Sequence, residues 1–203
     1  MNRLRLLLYV TTHMSSLHKS RLVHFWNMTH PALASADVLF YTPSKNWEEL
    51  RRSFPNASFF DPPSSVAYDY QKGAMAAMTD NRSLSAFKAY DWVIRLNPDV
   101  TICSFDETYR YMTSEYDVLA GYCGPRIMTD FTVFRPSALA TPPFPRHSMH
   151  TRCSSAECAM TAQVQHSIVA KRVKTLYITP NGQCRMRWKH NVMHEHSSRP
   201  SCA

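Results

Sequence analysis

The sequence predicts a single α/β domain, built on a mainly parallel mixed sheet flanked by helices in a Rossmann-like arrangement. Three observations carry this expectation. Short β-compatible apolar runs alternate with helix-compatible segments through the first half of the chain. The strongest runs are apolar on both faces, as in strands covered by helices on each side. No internal repeat and no long Pro/Gly/Ser-rich linker divides the 203 residues.

Each element has a local reason. Arg5 to Thr12 (RLLLYVTT) is a continuous apolar run and reads as a buried strand. Ser15 and Ser16 can cap a helix to about Asn27, with Pro31 beyond its end. Asp37 to Thr42 (DVLFYT) reads as a second strand. Ser44 is expected to cap a short helix carrying Trp47, Leu50 and Phe54. Ala57 to Phe60 is a short strand closed by Asp61-Pro62-Pro63. Ser64-Ser65 is expected to open a helix to about Met78, and Ala86 to Tyr90 a further short one. Asp91 to Asn97 (DWVIRLN) is a fourth strand that Pro98 breaks, and Val100 to Cys103 continues in a new direction.

The second half is less regular and richer in strands. Asp106 starts a helix to about Ser114. Asp117 to Tyr122, Thr129 to Phe134 and Lys174 to Ile178 read as strands, and Arg185 to His194 as a last one. Thr141 to Arg152 reads as a loop, and Ser154-Ser155 with Glu157 as the N-cap of a helix to about Val169. Pro180-Asn181-Gly182 is a turn.

Composition excludes several classes. With 44% apolar and 19% charged residues the chain is not disordered. Leu6 to Val10 is too short to span a bilayer, and shorter than a signal-peptide core. Gly73, Gly121, Gly124 and Gly182 are the only glycines, and no two sit at the spacing of a phosphate-binding glycine loop. Diphosphate binding would therefore need a metal, basic side chains or helix N-termini. The net charge of +8 comes entirely from residues 118–203, because residues 1–117 carry 12 basic and 12 acidic side chains. The basic half holds only three acids, Asp130, Glu157 and Glu195. It is either a surface for an anionic partner or a solvated basic face.

Four constellations can carry chemistry. Arg95-Leu96-Asn97-Pro98-Asp99 puts polar groups at the carboxyl end of a buried strand, where open α/β sheets bind ligands; an ordinary Asn-Pro turn explains the same residues. His194 and His196 fall on one side of an extended chain and can ligate a metal, or belong to a polar terminus. Asp130 and Glu157 are acids in basic surroundings, suited to general-base work, or to an ion pair and a capping box respectively. Thr11, Thr12 and His13 end the first strand, where they can meet a nucleotide or simply turn the chain. The six cysteines form no CxxC pair, so a zinc ribbon or thioredoxin-like site is not expected.

The segments LLLYVTTH, DVLFY, YDWVIRLNPDV, MTDFTVFRP, AECAMTAQV and VMHEH, in this order, resemble small nucleotide-sugar glycosyltransferases of the GT-A type, in the style of compact algal and large-DNA-virus transferases. The resemblance implies a single GT-A-like domain over residues 1–203. Residues 1–103 would be the nucleotide-binding half, 104–196 the donor-sugar and acceptor half, and 197–203 a tail. RLNPDV stands where that family carries its Asp-x-Asp motif, with Asn97 in the first acidic position.

On this resemblance Asp99, His194 and His196 would hold a divalent metal, Mn2+ or Mg2+. Thr11, Thr12, His13, Arg95 and Asn97 would bind the nucleotide donor, UDP-linked in the first instance. Glu157 would be the base if the reaction inverts, and Asp130 would bind sugar hydroxyls or take that role itself. The acceptor would be a hydroxyl of a glycan or glycoprotein, with no nucleic acid and no membrane span. Two alternatives stay open: a polyanion-binding module using the basic half, and a nucleotide-sugar hydrolase. As given, the chain is expected to be cytoplasmic with reduced thiols. As a piece of a longer anchored protein it would be placed in the Golgi lumen, where the sequons at Asn27, Asn56 and Asn81 would matter.

Overall fold

The computed structural model describes residues 4–16, 18–19, 22, 30–66, 70–102, 104–112, 115–123, 126–139, 173–177, 187–188 and 192–194. The first apolar run forms β1 (Leu6–Thr11), buried along its whole length. It pairs in parallel with β2 (Asp37–Tyr41) on one side and with β4 (Trp92–Leu96) on the other. β3 (Ser58–Phe60) extends the parallel set beyond β2. β7 (Arg126–Phe134) then runs antiparallel to β4, β6 (Val118–Cys123) antiparallel to β7, and β8 (Val173–Tyr177) parallel to β6. The sheet order is β3-β2-β1-β4-β7-β6-β8, so the sheet is mixed with a parallel N-terminal half.

Alternation along these strands divides the core into two layers. Leu6, Leu8, Val10, Ile94, Leu96, Phe131 and Val133 point to one face. Leu7, Tyr9, Val93 and Phe134 point to the other, against Ala77, Met78 and Phe87. Those last residues belong to α3 (Tyr70–Thr79) and α4 (Asn81–Phe87), which the sheet's second face buries. Tyr9 ties them down: its hydroxyl donates to Ala77 O at 2.9 Å and lies 2.9 Å from Ser83 Oγ. The first face is covered by residues that include Leu33 of α1 (Pro31–Ala34), Leu50 of α2 (Trp47–Ser53) and Met112 of α5 (Asp106–Met112).

Several local expectations are corrected. Pro31 follows the segment capped by Ser15 and also opens α1, since a proline at the first helical position loses no hydrogen bond. Ser44 begins a short 3-10 turn over Ser44–Asn46 and gives no side-chain cap to α2. Residues 64–66 form a turn, and the described helix α3 spans Tyr70–Thr79. The short helix lies at Asn81–Phe87 and not at Ala86 to Tyr90, because Asp80 supplies the N-cap by accepting from Arg82 N at 2.8 Å. The last strand is two strands, β9 (Arg187–Trp188) and β10 (Val192–His194), paired antiparallel. Ser15 does cap: His18 N donates to Ser15 Oγ at 3.2 Å. The loop expected at Thr141 to Arg152 and the helix expected after Ser154 lie outside the described residues.

β5 (Val100–Ile102) leaves the main sheet after the Pro98 turn. It forms a second sheet of three strands, in the order β5-β10-β9.

Candidate functional site

The site grows out of strand register. Leu7 and Tyr9 of β1 lie opposite Val93 and Arg95 of β4, and these lie opposite Phe134 and Thr132 of β7. Side chains on one face repeat every two residues. The three strands therefore build successive rows on that face. Leu7, Val93 and Phe134 form an apolar row, and Tyr9, Arg95 and Thr132 a mixed one. The next row is fully polar: Thr11, Asn97 and Asp130. It falls at the carboxyl end of the parallel strands, where such sheets bind ligands.

The polar row is hydrogen-bonded across all three strands. Arg95, only 1% exposed, donates from Nη2 to Thr11 Oγ1 at 2.7 Å. The Thr11 hydroxyl donates to Asn97 Oδ1 at 3.0 Å. Asn97 Nδ2 donates to Asp130 Oδ1 at 2.7 Å, and Asn97 N to Asp130 O at 3.0 Å. Arg95 thus sits inside the sheet and reaches the edge through Thr11 and Asn97. Asn97 and Asp130 are half-buried.

Beyond Asn97 the chain turns. Val100 N donates to Asn97 O at 3.1 Å, closing a turn with Pro98 in its second position. The turn the sequence predicts is present, and it buries Asp99 at 6% exposure beside the end of β1.

Asp99 faces a histidine that sequence reasoning missed. His18, 6% exposed, lies with Nε2 3.8 Å from Asp99 Oδ2. Its Nδ1 is 2.8 Å from Thr12 Oγ1. Thr12 Oγ1, which can both donate and accept, also accepts from Met14 N at 2.9 Å. Met14 takes the left-handed conformation, φ 56°, to make that contact. For a non-glycine residue this costs about 1–3 kcal/mol, and such strain concentrates at functional sites. The His13 ring lies against His18, centroids 4.3 Å apart and tilted by 46°. Burial holds His13 below the usual histidine value, against the pull of the Asp99 charge. No local sequence signal marks His18, because its partner is 81 positions away and the fold alone joins them.

The second sheet brings the C-terminal segment to the same place. In the β5–β10 ladder His194 is the register partner of Val100, the residue after Asp99. Thr11, Thr12, His13, Arg95, Asn97, Asp99 and Asp130 therefore cluster at one edge of the main sheet, and the His194 backbone lies next to it. Glu157 and His196 lie outside the described residues. Among the described residues, no group of three or more His, Cys, Asp or Glu gathers as a complete metal shell. An open groove of about 730 Å³, lined by Lys88, Asp91 and Arg135 among others, lies at the amino end of β4, away from this cluster.

The sheet order defines a mixed α/β fold of the kind found in a solved mannosyltransferase. Solved structures share it across most of the chain. A mannosyltransferase from Pyrobaculum calidifontis, in complex with GDP-Man and Mn2+, superposes with a TM-score of 0.53 at 10% identity over 90% of this chain. TarS 1–349 of S. aureus gives 0.52 at 11% identity over 86%, and its complex with UDP gives 0.51 at 12%. At these identities the likeness concerns the fold. The chain spans 56% of the first structure and 58% of each of the other two. No protein-family model matches the sequence, and no curated protein matches it. No helix among the described residues is long and apolar enough to cross a membrane.

Proposed function

We propose that the chain is a glycosyltransferase moving a sugar from a nucleoside-diphosphate donor, UDP-linked in the first instance, to a hydroxyl of a glycan or glycoprotein. The observation that carries the reading is the buried Asp99 at the carboxyl end of β4, with His194 in register beside it. Similar folds solved with GDP-Man and Mn2+ or with UDP support the donor class.

The donor set fits a divalent cation of the Mn2+ or Mg2+ kind. Such ions take one or two carboxylates and fill the remaining positions with substrate phosphates and water, so a site short of three protein ligands is chemically adequate. Asp99, His194 and His196 would hold the ion, which would neutralise charge on the departing diphosphate. The chain's own residues do the rest. His18, positioned by Thr12, faces the Asp99 carboxylate. Thr11, Asn97 and Asp130 present donors and acceptors to the nucleotide sugar, and His13 lines the approach. The excess of basic residues after position 117 attracts the anionic donor. Glu157 takes the proton of the attacking hydroxyl if the reaction inverts, and Asp130 binds sugar hydroxyls.

The experiment is product analysis with UDP- and GDP-sugars and Mn2+, with and without acceptor glycans. Diphosphate release that needs an acceptor, and is lost in a folded Asp99→Ala variant, is the expected result. Release into water alone would make the chain a nucleotide-sugar hydrolase. Wild-type turnover by Asp99→Ala would remove Asp99 from the site.

A further inference from the structure

The groove at the amino end of β4, about 730 Å³ and open, is a second concave surface outside the Asp99 cluster. From Asp91 to Asn97 the extended chain covers about 20 Å, so a donor bound at Asp99 leaves the groove unfilled. One wall is α4, where Asn81, Leu84, Ser85 and Lys88 share a face at helical spacing. The other wall is Arg135 with the 3-10 turn Pro136–Ala138. The floor residues Phe87 and Leu139 are 1% and 6% exposed, so little apolar surface is offered to an amphipathic helix. The backbone amides of residues 88–91, 135, 138 and 139 all donate inside the fold. These groups cannot take up a peptide strand, and recognition falls to side chains.

Those side chains suit a hydroxyl-rich, negatively charged ligand. Asn81, Ser85 and Ser137 bring neutral hydrogen-bonding groups. Tyr90 brings an aromatic ring, anchored by its hydroxyl, which donates to Asp37 Oδ2 at 3.0 Å. The charged residues of the lining are the cations Lys88 and Arg135 and the acid Asp91. Asp91 is already engaged: it accepts from Arg5 N at 2.7 Å, and the Arg5 guanidinium lies 3.8 Å away. Arg135 donates from Nε to Tyr116 O at 3.3 Å, with Asp117 at 3.6 Å, and its terminal nitrogens donate to no atom of the described residues. Lys88 is exposed, and no carboxylate of the described residues lies within ion-pair distance of it. We propose that this groove binds an anionic stretch of the acceptor glycan. Its acid group, carboxylate or sulfate, sits at Lys88 and Arg135, and its hydroxyls meet Asn81, Ser85 and Ser137. The proposal deepens the glycosyltransferase reading and rests on it for the acceptor.

The test uses the full chain as wild type, Lys88→Glu and Ser85→Trp, both changes at exposed positions of the groove wall. Calorimetry measures binding of galacturonate oligomers, their methyl esters, sulfated dextran oligomers and polyglutamate. UDP and GDP with Mn2+ are titrated into the same proteins. Wild type should bind an acidic oligomer and discriminate against the methyl ester. Lys88→Glu should weaken that binding roughly tenfold at low salt, because an attraction becomes a repulsion, and the difference should shrink as salt is raised. Ser85→Trp fills the groove without changing its charge and should also abolish glycan binding. Nucleotide affinity should be the same in all three proteins. Binding of galacturonate supports a carboxylate source, and binding of sulfated dextran a sulfate source.

Methyl esters that bind as tightly as the acids overturn the role of charge, and with it the proposal. Polyglutamate binding more tightly than either acidic glycan overturns it in favour of an acidic peptide. Wild-type affinity in folded Ser85→Trp and Lys88→Glu places the glycan on another surface. Wild type that binds nucleotide but no acidic oligomer overturns the groove and leaves the glycosyltransferase reading standing. Wild type that binds the acidic oligomers but no nucleotide overturns the acceptor assignment together with that reading.

Discussion

Arg95 donates to the Thr11 hydroxyl at 2.7 Å inside the β1–β4 ladder, a charged group held 1% exposed in the middle of a sheet. Its aliphatic stem fills core volume, and its head organises the polar row at the sheet edge. Arg95→Met keeps the volume and removes the donor. We expect a loss of about 3 kcal/mol in urea unfolding, the size seen when one partner of a buried charged network is removed. Unchanged stability would mean that the row assembles without its cation.

His18 separates a fold role from a site role. Its Nδ1 serves Thr12, while its Nε2 faces Asp99. His18→Asn keeps an acceptor near Thr12 and removes the group facing the carboxylate. The Mn2+ concentration needed for half-maximal activity should rise roughly tenfold or more, as for other groups that orient metal ligands. His18→Ala should also lower the melting temperature, because Thr12 and the strained Met14 turn lose their partner.

Tyr9 lies on the same sheet face as Thr11, one row behind the site. Its hydroxyl joins Ala77 and Ser83 to the sheet, 0% exposed. Tyr9→Phe should cost about 1–3 kcal/mol of stability through buried polar groups left unpaired. Nucleotide affinity measured on the same protein should not change, since the Tyr9 hydroxyl is spent on Ala77 and Ser83 and touches none of the site residues named above.

Acid stability has a definite sign at Asp80. Burial opposes ionisation of this carboxyl, but hydrogen bonds from the Arg82 side chain and backbone, its charge, and the Tyr41 hydroxyl outweigh it and hold the group below its ordinary value. The carboxyl therefore binds protons less readily folded than unfolded. Its contribution is complete above the unfolded carboxylate value of about 4 and is lost as pH falls through the lowered folded value. The stability gap between wild type and Asp80→Asn should be constant near neutral pH and close on acidification below pH ~4. A gap that widens in acid would contradict this.

The parallel half of the sheet was legible because strands buried on both faces leave continuous apolar runs, as in LLLYVTT and DWVIRLN. The position of Asp99 was legible too, since Pro98 marks the strand end. Helix starts were not. Asp80 accepts from Arg82 N and so starts α4 five residues before Ala86, and the Tyr41 hydroxyl that also donates to this carboxylate comes from a distant strand. His18 was invisible because its role exists only when the segment after β1 folds back over the β4 turn. The Asn97–Asp130 bond was likewise hidden, since it depends on β7 crossing over to run antiparallel beside β4.

If Asp99 anchors a metal-dependent nucleoside-diphosphate site, its most direct readout is thermal unfolding of wild type and Asp99→Asn with UDP or GDP, each with and without Mn2+. A ligand that binds only the folded state raises the melting temperature. One diphosphate should raise it only when Mn2+ is present, and a folded Asp99→Asn protein should show no rise. No rise with either diphosphate in Mn2+, or an equal rise in Asp99→Asn, would contradict that role for Asp99.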